Sequence, residues 1–336
     1  MDNNLKRKTK RNIFEEGKYF WSPVYNWKES GDIIQIGIFG YDDIALKMFP
    51  NLYYYTQDGI TIQDLTRKFD YLEEEKIKNF LSELVNNNIL VKEILSPKQV
   101  FVQQEKLLQL EIDEDTFINP ALYEEYKSKQ LRRTFSNVLT NKIKLLDSNY
   151  EDSIKRRRSI RKFNENDKIS FEKFSNIISV FKQYRTEDNM IRYNYATDGG
   201  LYPIDIFIYL KENRIEDVKG GLYYFNPIEN ELRLVSNTCV ITDTSHYASN
   251  KEIFNSAAFS LFLVYNAEVT MPKYQGMGYL YAAIDTGIMV QLLTQVCEVN
   301  NIGVCSIGEM DFSKIAKYFK LEKNQVLIHT VEVGLK

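Results

Sequence analysis

The sequence predicts an α+β fold, with a small domain of helices and short strands ahead of a larger mixed domain. The 336 residues are enough for about two domains. Two amphipathic helical patterns and a short apolar strand lie between residues 33 and 95, and the chain after residue 151 mixes strand hairpins with helical crossovers. We therefore predict an N-terminal arm (residues 1–30), the small domain (31–96), a helical connector (97–150) and the larger domain (151–336).

The composition is that of an ordinary globular protein, with 44% apolar and 26% charged residues. Lys and Arg total 43 against 46 Asp and Glu, so the chain lacks the basic excess of a protein that coats nucleic acid or an anionic membrane. The sequence has no uninterrupted apolar run long enough for a membrane span, and its polar start predicts no signal peptide. Three Cys without a C-x-x-C pair and two His argue against a metal site. We expect a cytoplasmic protein.

The small domain is predicted from its periodicity. Ile33–Phe39 is predicted as a strand, and a turn at Asp58-Gly59 precedes a first helix. The second helix has its apolar residues at i, i+3, i+4, i+7 and i+8, which is one helical face: Ile77, Phe80, Leu81, Leu84 and Val85. Ile89–Val91 is predicted as a short strand, so the order is that of a winged helix.

Charge indicates what this domain binds. Between Asp32 and Leu95 there are 11 acidic and 6 basic residues, and an acidic surface gains nothing from the release of phosphate counterions. Peptide binding against a strand edge, or a structural role, is therefore favoured over DNA binding. Aromatic residues between Tyr19 and Trp27 predict that the arm docks on another surface. The connector is predicted to be mostly helical from Pro120 onward, with charged residues spread around its apolar ones: Leu131, Phe135, Val138, Leu139 and Ile143. It either wraps a partner subunit or forms a surface helix.

Lys155–Lys162, with the sequence KRRRSIRK, is strongly basic. It is a nuclear localisation signal, a solvated charge run or an anion site. Because Ile160 and Phe163 have to pack, we expect the arginines beside them to be held in place, where they present forked donors to an anion such as phosphate. The residues alone leave the three alternatives open.

Two loops carry glycines that let a ligand approach the backbone. Thr197–Pro203 is either such a loop or a tight turn into the next strand, and Gly303–Asp311 joins an apolar strand to a capped helix. Three further side chains are predicted to have no catalytic role, with the cysteine in the core: Cys305, His246 and His329.

Four segments, taken in order, resemble a known family. Arg157–Phe163 is similar to the R-R-S-x-R-x-F element of the FMN-dependent nitroreductase fold. Gly199–Pro203 and Gly221–Pro227 resemble the S-A-G-x-L-Y-P and G-L-Y-x-Y-x-P segments of one branch, the SagB/ThcOx-type azoline dehydrogenases, which include McbC-like oxidases. Tyr281–Asp311 resembles the long helix and L-G-x-x-x-I-G-x-F-D segment of that branch. Residues 33–95 also resemble the winged-helix leader-peptide clamp of enzymes that modify ribosomal peptides.

The resemblance implies a homodimer that holds FMN at the subunit interface. It implies oxidation of a thiazoline or oxazoline to the azole in a modified precursor peptide, with dioxygen as the final oxidant and a cyclodehydratase as a further partner. Tyr202 is expected to be the base or proton relay, with Leu201 where some members carry Lys. The residues expected to contact FMN are Arg157, Arg158, Ser159, Arg161, Gly199, Gly200, Gly308 and Glu309.

Two other functions are compatible with the sequence. An NAD(P)H-dependent nitro or quinone reductase explains residues 150–336 but leaves residues 1–95 without a role. A non-enzymatic peptide-binding protein with a degenerate flavin domain is the third possibility considered.

Overall fold

The computed structural model describes residues 17–101, 115–134, 143–146 and 152–336. Strands and helices are mixed along the chain, which confirms the predicted α+β class. Within the described residues the strands are β1 (Phe20–Trp21), β2 (Trp27–Ser30), β3 (Ile33–Ile36), β4 (Phe39–Tyr41), β5 (Leu90–Val91), β6 (Tyr184–Arg185), β7 (Ile191–Arg192), β8 (Ile204–Leu210), β9 (Gly221–Asn226), β10 (Glu231–Ser236), β11 (Phe259–Asn266), β12 (Ile302–Ile307) and β13 (Gln325–Leu335).

The α-helices of the same residues are α1 (Ile44–Met48), α2 (Asn51–Tyr55), α3 (Ile62–Arg67), α4 (Glu74–Asn86), α5 (Pro97–Phe101), α6 (Asp115–Ile118), α7 (Pro120–Arg132), α8 (Asp152–Arg156), α9 (Phe171–Ile178), α10 (Asn250–Ser256), α11 (Ala267–Tyr274), α12 (Met277–Val299) and α13 (Ala316–Phe319). Short 3₁₀ turns occur at Ser179–Phe181, Asp198–Gly200, Asp243–Ser245 and Phe312–Lys314.

The larger domain is built on a six-stranded sheet in the order β10-β9-β8-β11-β13-β12, with every neighbouring pair antiparallel. Side chains alternate between its two faces. In β8, Ile206 and Ile208 belong to the core under α12, whereas Phe207 and Tyr209 belong to a second core on the opposite face. Because both faces are covered, the central strands are apolar almost throughout.

Helix α12 covers one face of this sheet. Ala282, Met289 and Leu293 are buried in that core, and α9 also packs there through Phe174 and Ile177. Among the described residues, α12 is the one helix whose length and apolar composition would also allow it to cross a membrane. A core helix of a globular protein meets the same test, and the buried side of α12 is in contact with the sheet.

The small domain has its own core, and the structure extends it toward the N-terminus. The prediction that the arm runs through residue 30 was wrong, because Tyr19 and Trp21 are buried in the small-domain core. Strand β1 pairs with β5, and the Trp21 ring contacts the Tyr53 ring edge-on with centroids 5.1 Å apart. The aromatic residues of this segment therefore dock on the helices of their own domain. Residues 1–16 lie outside the described part of the chain.

The helices of the small domain agree with the sequence pattern, and its strands differ from it. The five apolar residues predicted for the second helix are the buried residues of α4. The predicted strand Ile33–Phe39 is instead two strands, β3 and β4, which form a hairpin because Gly37 takes a positive φ of 57°. Strands β2, β3 and β4 form a sheet ahead of the helices. Strand β5 follows α4 as predicted but pairs with β1.

The connector contains the short helices α5 and α6 and the longer α7. Helix α7 begins at the predicted Pro120, where Asn119 caps it by accepting a hydrogen bond from the Ala121 N–H group. Neither α6 nor α7 has a buried residue. The apolar residues Phe135, Val138 and Leu139, which were predicted to continue the helical pattern, lie outside the described residues.

Candidate functional site

The basic segment runs along the free edge of strand β12. The Ile160 N–H group donates a hydrogen bond to the Val304 carbonyl (3.0 Å), and the Phe163 N–H group donates to Ser256 Oγ (3.2 Å). Phe163 is buried, and its ring lies so close to Gly334 that a Cβ there would stand 2.8 Å from it. These contacts confirm the prediction that Ile160 and Phe163 pack.

The arginines on this anchored segment point away from the core. Arg157, Arg158 and Arg161 are exposed, and within the described residues none of their guanidinium groups has a hydrogen bond or ion pair. Ser159, between them, is exposed as well. The structure thus presents three unpartnered cations on a backbone that is fixed at two points, an arrangement suited to a phosphate or another anion.

The glycine loop lies at the start of β8 and has an unusual backbone. Gly199, Gly200 and Tyr202 all have positive φ angles, of 66°, 70° and 51°. Glycine adopts this conformation readily, whereas a tyrosine in it is strained. A Cβ on Gly199 would overlap the Tyr274 hydroxyl and stand 2.8 Å from Nζ of Lys273, while a Cβ on Gly200 would meet nothing within 4 Å. Gly200 therefore has open space beside its backbone.

A buried carboxylate fastens this loop to α12. The Thr197 hydroxyl donates to Asp285 Oδ2 (2.5 Å) and accepts a hydrogen bond from the Tyr202 N–H group (3.3 Å). Asp285 is only 2% exposed. Burial raises the pKa of its carboxyl group above the usual value, and the hydrogen bond from Thr197 opposes that rise. Asp285 was not among the predicted site residues; the available indication in the sequence was an acidic residue in the middle of a mostly apolar helix.

Tyr202 lies in a cluster of tyrosines. Its ring lies against that of Tyr193, with centroids 4.0 Å apart, and edge-on to Tyr195 at 5.6 Å. Burial raises the pKa of Tyr193 and raises that of Tyr195 much further. The ring of Tyr202 is half-buried, and its hydroxyl has no hydrogen-bond partner among the described residues. Tyr202 also lines a small cavity of about 200 Å³ together with Asp205.

The loop after β12 holds Gly308 and Glu309. Gly308 is exposed, and a Cβ there would meet nothing within 4 Å. The Glu309 carboxylate pairs with Lys98 of α5, and its carbonyl accepts a hydrogen bond from Asn250 Nδ2 (3.2 Å). The Asp311 N–H group donates to the Ser245 carbonyl (2.7 Å). These contacts hold the loop at Glu309 and Asp311 and leave the Gly308 backbone accessible.

A buried polar pair lies beneath this loop. His246 Nε2 is 3.4 Å from Glu332 Oε1, and both side chains are fully buried. Glu332 accepts a hydrogen bond from Ser260 Oγ (2.8 Å), and His246 Nδ1 is 3.1 Å from Ser245 Oγ. The contact between His246 and Glu332 was not predicted from the sequence, because Glu332 is 86 positions away. Cys305 is buried, as predicted, and no cluster in the described residues could hold a metal ion.

The predicted residues lie at one end of the sheet in two groups. Strands β11 and β13 separate β8, with its glycine loop, from β12, with the arginines and Gly308. Three inter-strand spacings make this separation about 14 Å. Both groups adjoin α12, since Thr197 bonds to Asp285 and α8, just before Arg157, contacts the same helix. The structure therefore brings the predicted residues to one region of the chain, but within one chain the two groups do not line a common pocket.

Comparison with known proteins agrees with this architecture. The model of the nitroreductase family matches residues 154–335, which is more than half of the chain. This chain belongs to the nitroreductase family. It is therefore an oxidoreductase of a family whose members typically bind flavin. Over 231 residues the chain is 26% identical to the microcin B17-processing protein McbC of Escherichia coli. The alignment covers 64% of this chain and 80% of McbC.

The fold of this nitroreductase-family chain also matches a solved structure. The E. coli microcin synthetase McbBCD complex with truncated pro-MccB17 bound contains a chain that aligns with a TM-score of 0.51 and 18% identity. The alignment covers 80% of this chain and 96% of the other. At this identity the match shows a common fold, and it extends well beyond residues 154–335.

The buried carboxylate gives a prediction for the dependence of stability on pH. The pKa of Asp285 is higher in the folded state than in the unfolded state, where it is about 3.9. The contribution of Asp285 to the free energy of unfolding is therefore most favourable below pH 3.9. It is lost as the pH rises through the folded-state pKa. Asp285→Asn keeps an acceptor for Thr197 and does not ionise. We expect the free energy of unfolding of this variant, relative to the parent, to increase between pH 4 and pH 7 in chemical denaturation.

The control is Asp217→Asn, which changes an exposed carboxylate. Its effect on the free energy of unfolding is expected to vary less between the two pH values. An Asp285→Asn difference that stays constant over this range would contradict a raised pKa at Asp285.

Proposed function

We propose that this protein is an FMN-dependent dehydrogenase that oxidises thiazoline or oxazoline rings to thiazole or oxazole in a ribosomally made, modified peptide. The observation that carries the proposal is the similarity to the microcin B17-processing protein, which extends over 231 residues and so is longer than the nitroreductase domain alone. A generic reductase of this family has no need of the second folded domain at the N-terminus.

The residues at the end of the sheet fit FMN. Arg157, Arg158 and Arg161 supply unpartnered guanidinium groups for a phosphate, with Ser159 between them. The backbone is open beside Gly200 and Gly308, which permits close approach of a flat ring. We assign Gly199 and Gly200 to the flavin ring and the backbone at Gly308 and Glu309 to its N5 edge. When bound, FMN supplies the acceptor for the hydride that leaves the azoline carbon.

A homodimer explains how two separated groups of residues serve one cofactor. The side of α12 away from the sheet carries an apolar stripe with a spacing of three to four residues: Met277, Leu280, Ile284 and Ile288, between 37% and 52% exposed. Such a stripe favours burial against another helix. A second copy of the chain is the occupant we propose, so that the arginines of one chain and the glycine loop of its partner approach each other across α12.

The chemistry left to the chain is transfer of a proton. Aromatisation of an azoline removes a hydride and a proton, and we propose that the Tyr202 hydroxyl accepts or relays the proton. Lys273 places a cation beside the same loop, close to Gly199, although Leu201 precedes the tyrosine. Dioxygen is the proposed final oxidant.

The peptide and a second enzyme complete the proposal. The matched solved structure is a synthetase complex that includes a bound pro-peptide, which supports a peptide substrate here. A cyclodehydratase is the proposed partner because the azoline must be made before it is oxidised. The acidic small domain, whose sheet has edge strands at β2 and β4, is the proposed leader-binding domain.

The reaction itself is the first test. Purified protein incubated with FMN and an azoline-bearing precursor peptide is expected to lower the peptide mass by about 2 Da for each ring, because two hydrogens are lost. Mass spectrometry of the peptide measures this change. Bound flavin that NADPH bleaches rapidly, without a change in peptide mass, would favour the reductase alternative. A colourless protein that stays unreactive after FMN is added would favour a non-enzymatic binding role.

The arginines give a second test. Arg158→Ala is expected to weaken FMN binding by about tenfold or more, because a charge-assisted hydrogen bond to phosphate is lost. Arg157→Ala should act in the same direction. Quenching of flavin fluorescence during titration measures the Kd. The matched control is Arg156→Ala, an exposed arginine at the end of α8; equal effects of all three changes would mean that general charge, and no defined phosphate site, holds the cofactor.

Tyr202 is tested by removing its hydroxyl alone. Tyr202→Phe keeps the ring packed on Tyr193 and is expected to lower kcat for azoline oxidation by about 100-fold or more, the usual contribution of a general base. Binding of FMN should be unchanged. Tyr193→Phe, in the neighbouring ring, is the control and is expected to retain kcat. Full activity of Tyr202→Phe would assign the proton transfer to another group.

A further inference from the structure

We propose that the edge of β13 from Gln325 to His329 binds an extended peptide with acidic side chains, which pairs with it as an added strand. The inference rests on the proposed function, because the peptide is taken to be the part of the precursor next to the modified ring. It assigns to the larger domain a peptide site that is separate from the strand edges of the small domain.

The first observation is that five of the eleven residues of β13 are not paired with β12. Strand β13 pairs with β11 from Gln325 to Val333, but with β12 only from Thr330 to Leu335. Strand β12 ends at Ile307, opposite Thr330, and the chain turns away there. Within the described residues no strand covers the other side of Gln325–His329. These five residues are half-buried, whereas the next five are buried. An unpaired edge of this kind is a template for strand addition.

The second observation is a cleft that lies directly over this edge. Its volume is about 760 Å³, within the usual range for ligand sites. Its lining includes Leu90 to Gln99, which belong to the small domain and the segment that follows it, and residues between Phe312 and Leu321. Five residues of an added strand would span about 17 Å.

The cleft leads to the candidate flavin site. Gly308 and Glu309 line it, because they are the residues at which β12 ends and leaves β13 uncovered. Lys98 of the connector also lines the cleft and forms an ion pair with Glu309. A strand added to β13 would therefore continue, past its paired residues, toward Gly308. The proposed reaction requires the azoline ring of the peptide to lie near Gly308.

The charged residues that line the cleft indicate which side chains a bound peptide would carry. Lys317, Lys320 and Lys323 line the cleft and are exposed, and none has an ion pair with another described residue. Two acidic residues of the lining already have basic partners, Glu309 with Lys98 and Asp311 with Lys314. The exposed Glu93 and Glu322 also line the cleft. Lys317 also lies over the Tyr318 ring, 5.0 Å from its centroid, but its charge is not neutralised by a described carboxylate. The three lysines therefore favour acidic side chains on the bound strand.

Peptide binding is tested on the full-length protein with a synthetic probe. The probe is a fluorescein-labelled decapeptide of alternating valine and glutamate, and the control is the same peptide with lysine in place of glutamate. Fluorescence anisotropy is expected to show binding of the first and none of the second. Hydrogen exchange with mass spectrometry is expected to show new protection of residues 326–329 when the first peptide is present.

Backbone methylation of the probe distinguishes strand addition from electrostatic attraction between the acidic peptide and the lysines. Two further probes carry N-methyl groups on all valines or on all glutamates. Because alternate residues of a strand direct their N–H groups to the same neighbour, one probe is expected to bind about tenfold more weakly or worse and the other to bind nearly unchanged. Equal affinities of the two probes would overturn the proposal. So would protection, in the protein without peptide, of the N–H groups of residues 326–329 that do not bond to β11, since the free edge would then already be paired.

The lysines are tested by reversing two of them. Lys317→Glu with Lys323→Glu is expected to weaken binding of the acidic probe about fivefold or more. The control pair, Lys168→Glu with Lys182→Glu, changes two exposed lysines elsewhere and should bind normally. Protection at β2 or β4 alone would place the peptide on the small domain and overturn the inference. These measurements need neither FMN nor turnover, so FMN uptake and oxidation of a small free thiazoline by the same preparation report separately on the proposed function.

Discussion

The packing of α12 against the six-stranded sheet is the interaction on which the candidate site depends. Its buried side contributes the apolar residues of the main core, and the same helix supplies Asp285, to which the glycine loop is bonded. Helix α8, at the base of the arginine segment, also contacts it. A shift of α12 on the sheet would therefore move both groups of candidate residues at once.

The two groups are held by different physical means. Apolar packing fixes the backbone of the arginine segment, through Ile160 and Phe163, and leaves the charged ends of its side chains in water. The glycine loop is fixed by polar contacts to a buried carboxylate, and its left-handed backbone angles at Gly199, Gly200 and Tyr202 are maintained by those contacts. Both arrangements keep functional groups accessible while their supports are buried, which reduces the ordering that a ligand would have to bring about on binding.

The end of the sheet also relates the larger domain to the small one. Strand β12 is shorter than β13, and this difference exposes part of β13, creates the loop with Gly308 and opens the cleft that the small domain borders. One topological feature thus connects the proposed flavin site with the proposed path of the peptide. The buried pair of His246 and Glu332 lies under the same loop, where His246 and Met310 form a backbone bridge, so its polar contacts support the loop from within the core.

Local patterns in the sequence determined the elements and several of their contacts. The apolar spacing of α4, the helical start at Pro120 and the need for Ile160 and Phe163 to pack were all predicted from neighbouring residues, because helical periodicity and start signals act over a few positions. The ordered segments of residues 157–311 were sufficient to identify the family. The end of the arm was misplaced, since Tyr19 and Trp21 find their partners in the helices and in β5, far along the chain.

Only the tertiary structure decided which distant residues meet. Asp285 with Thr197, His246 with Glu332 and Lys273 beside Gly199 are separated by 74 to 88 positions, and no local pattern relates them. The unpaired part of β13 could not be predicted either, because the length of a strand on its own does not tell how far its neighbour covers it. Propensity and periodicity are properties of the chain near each residue, whereas these contacts depend on the strand order and register of the folded sheet.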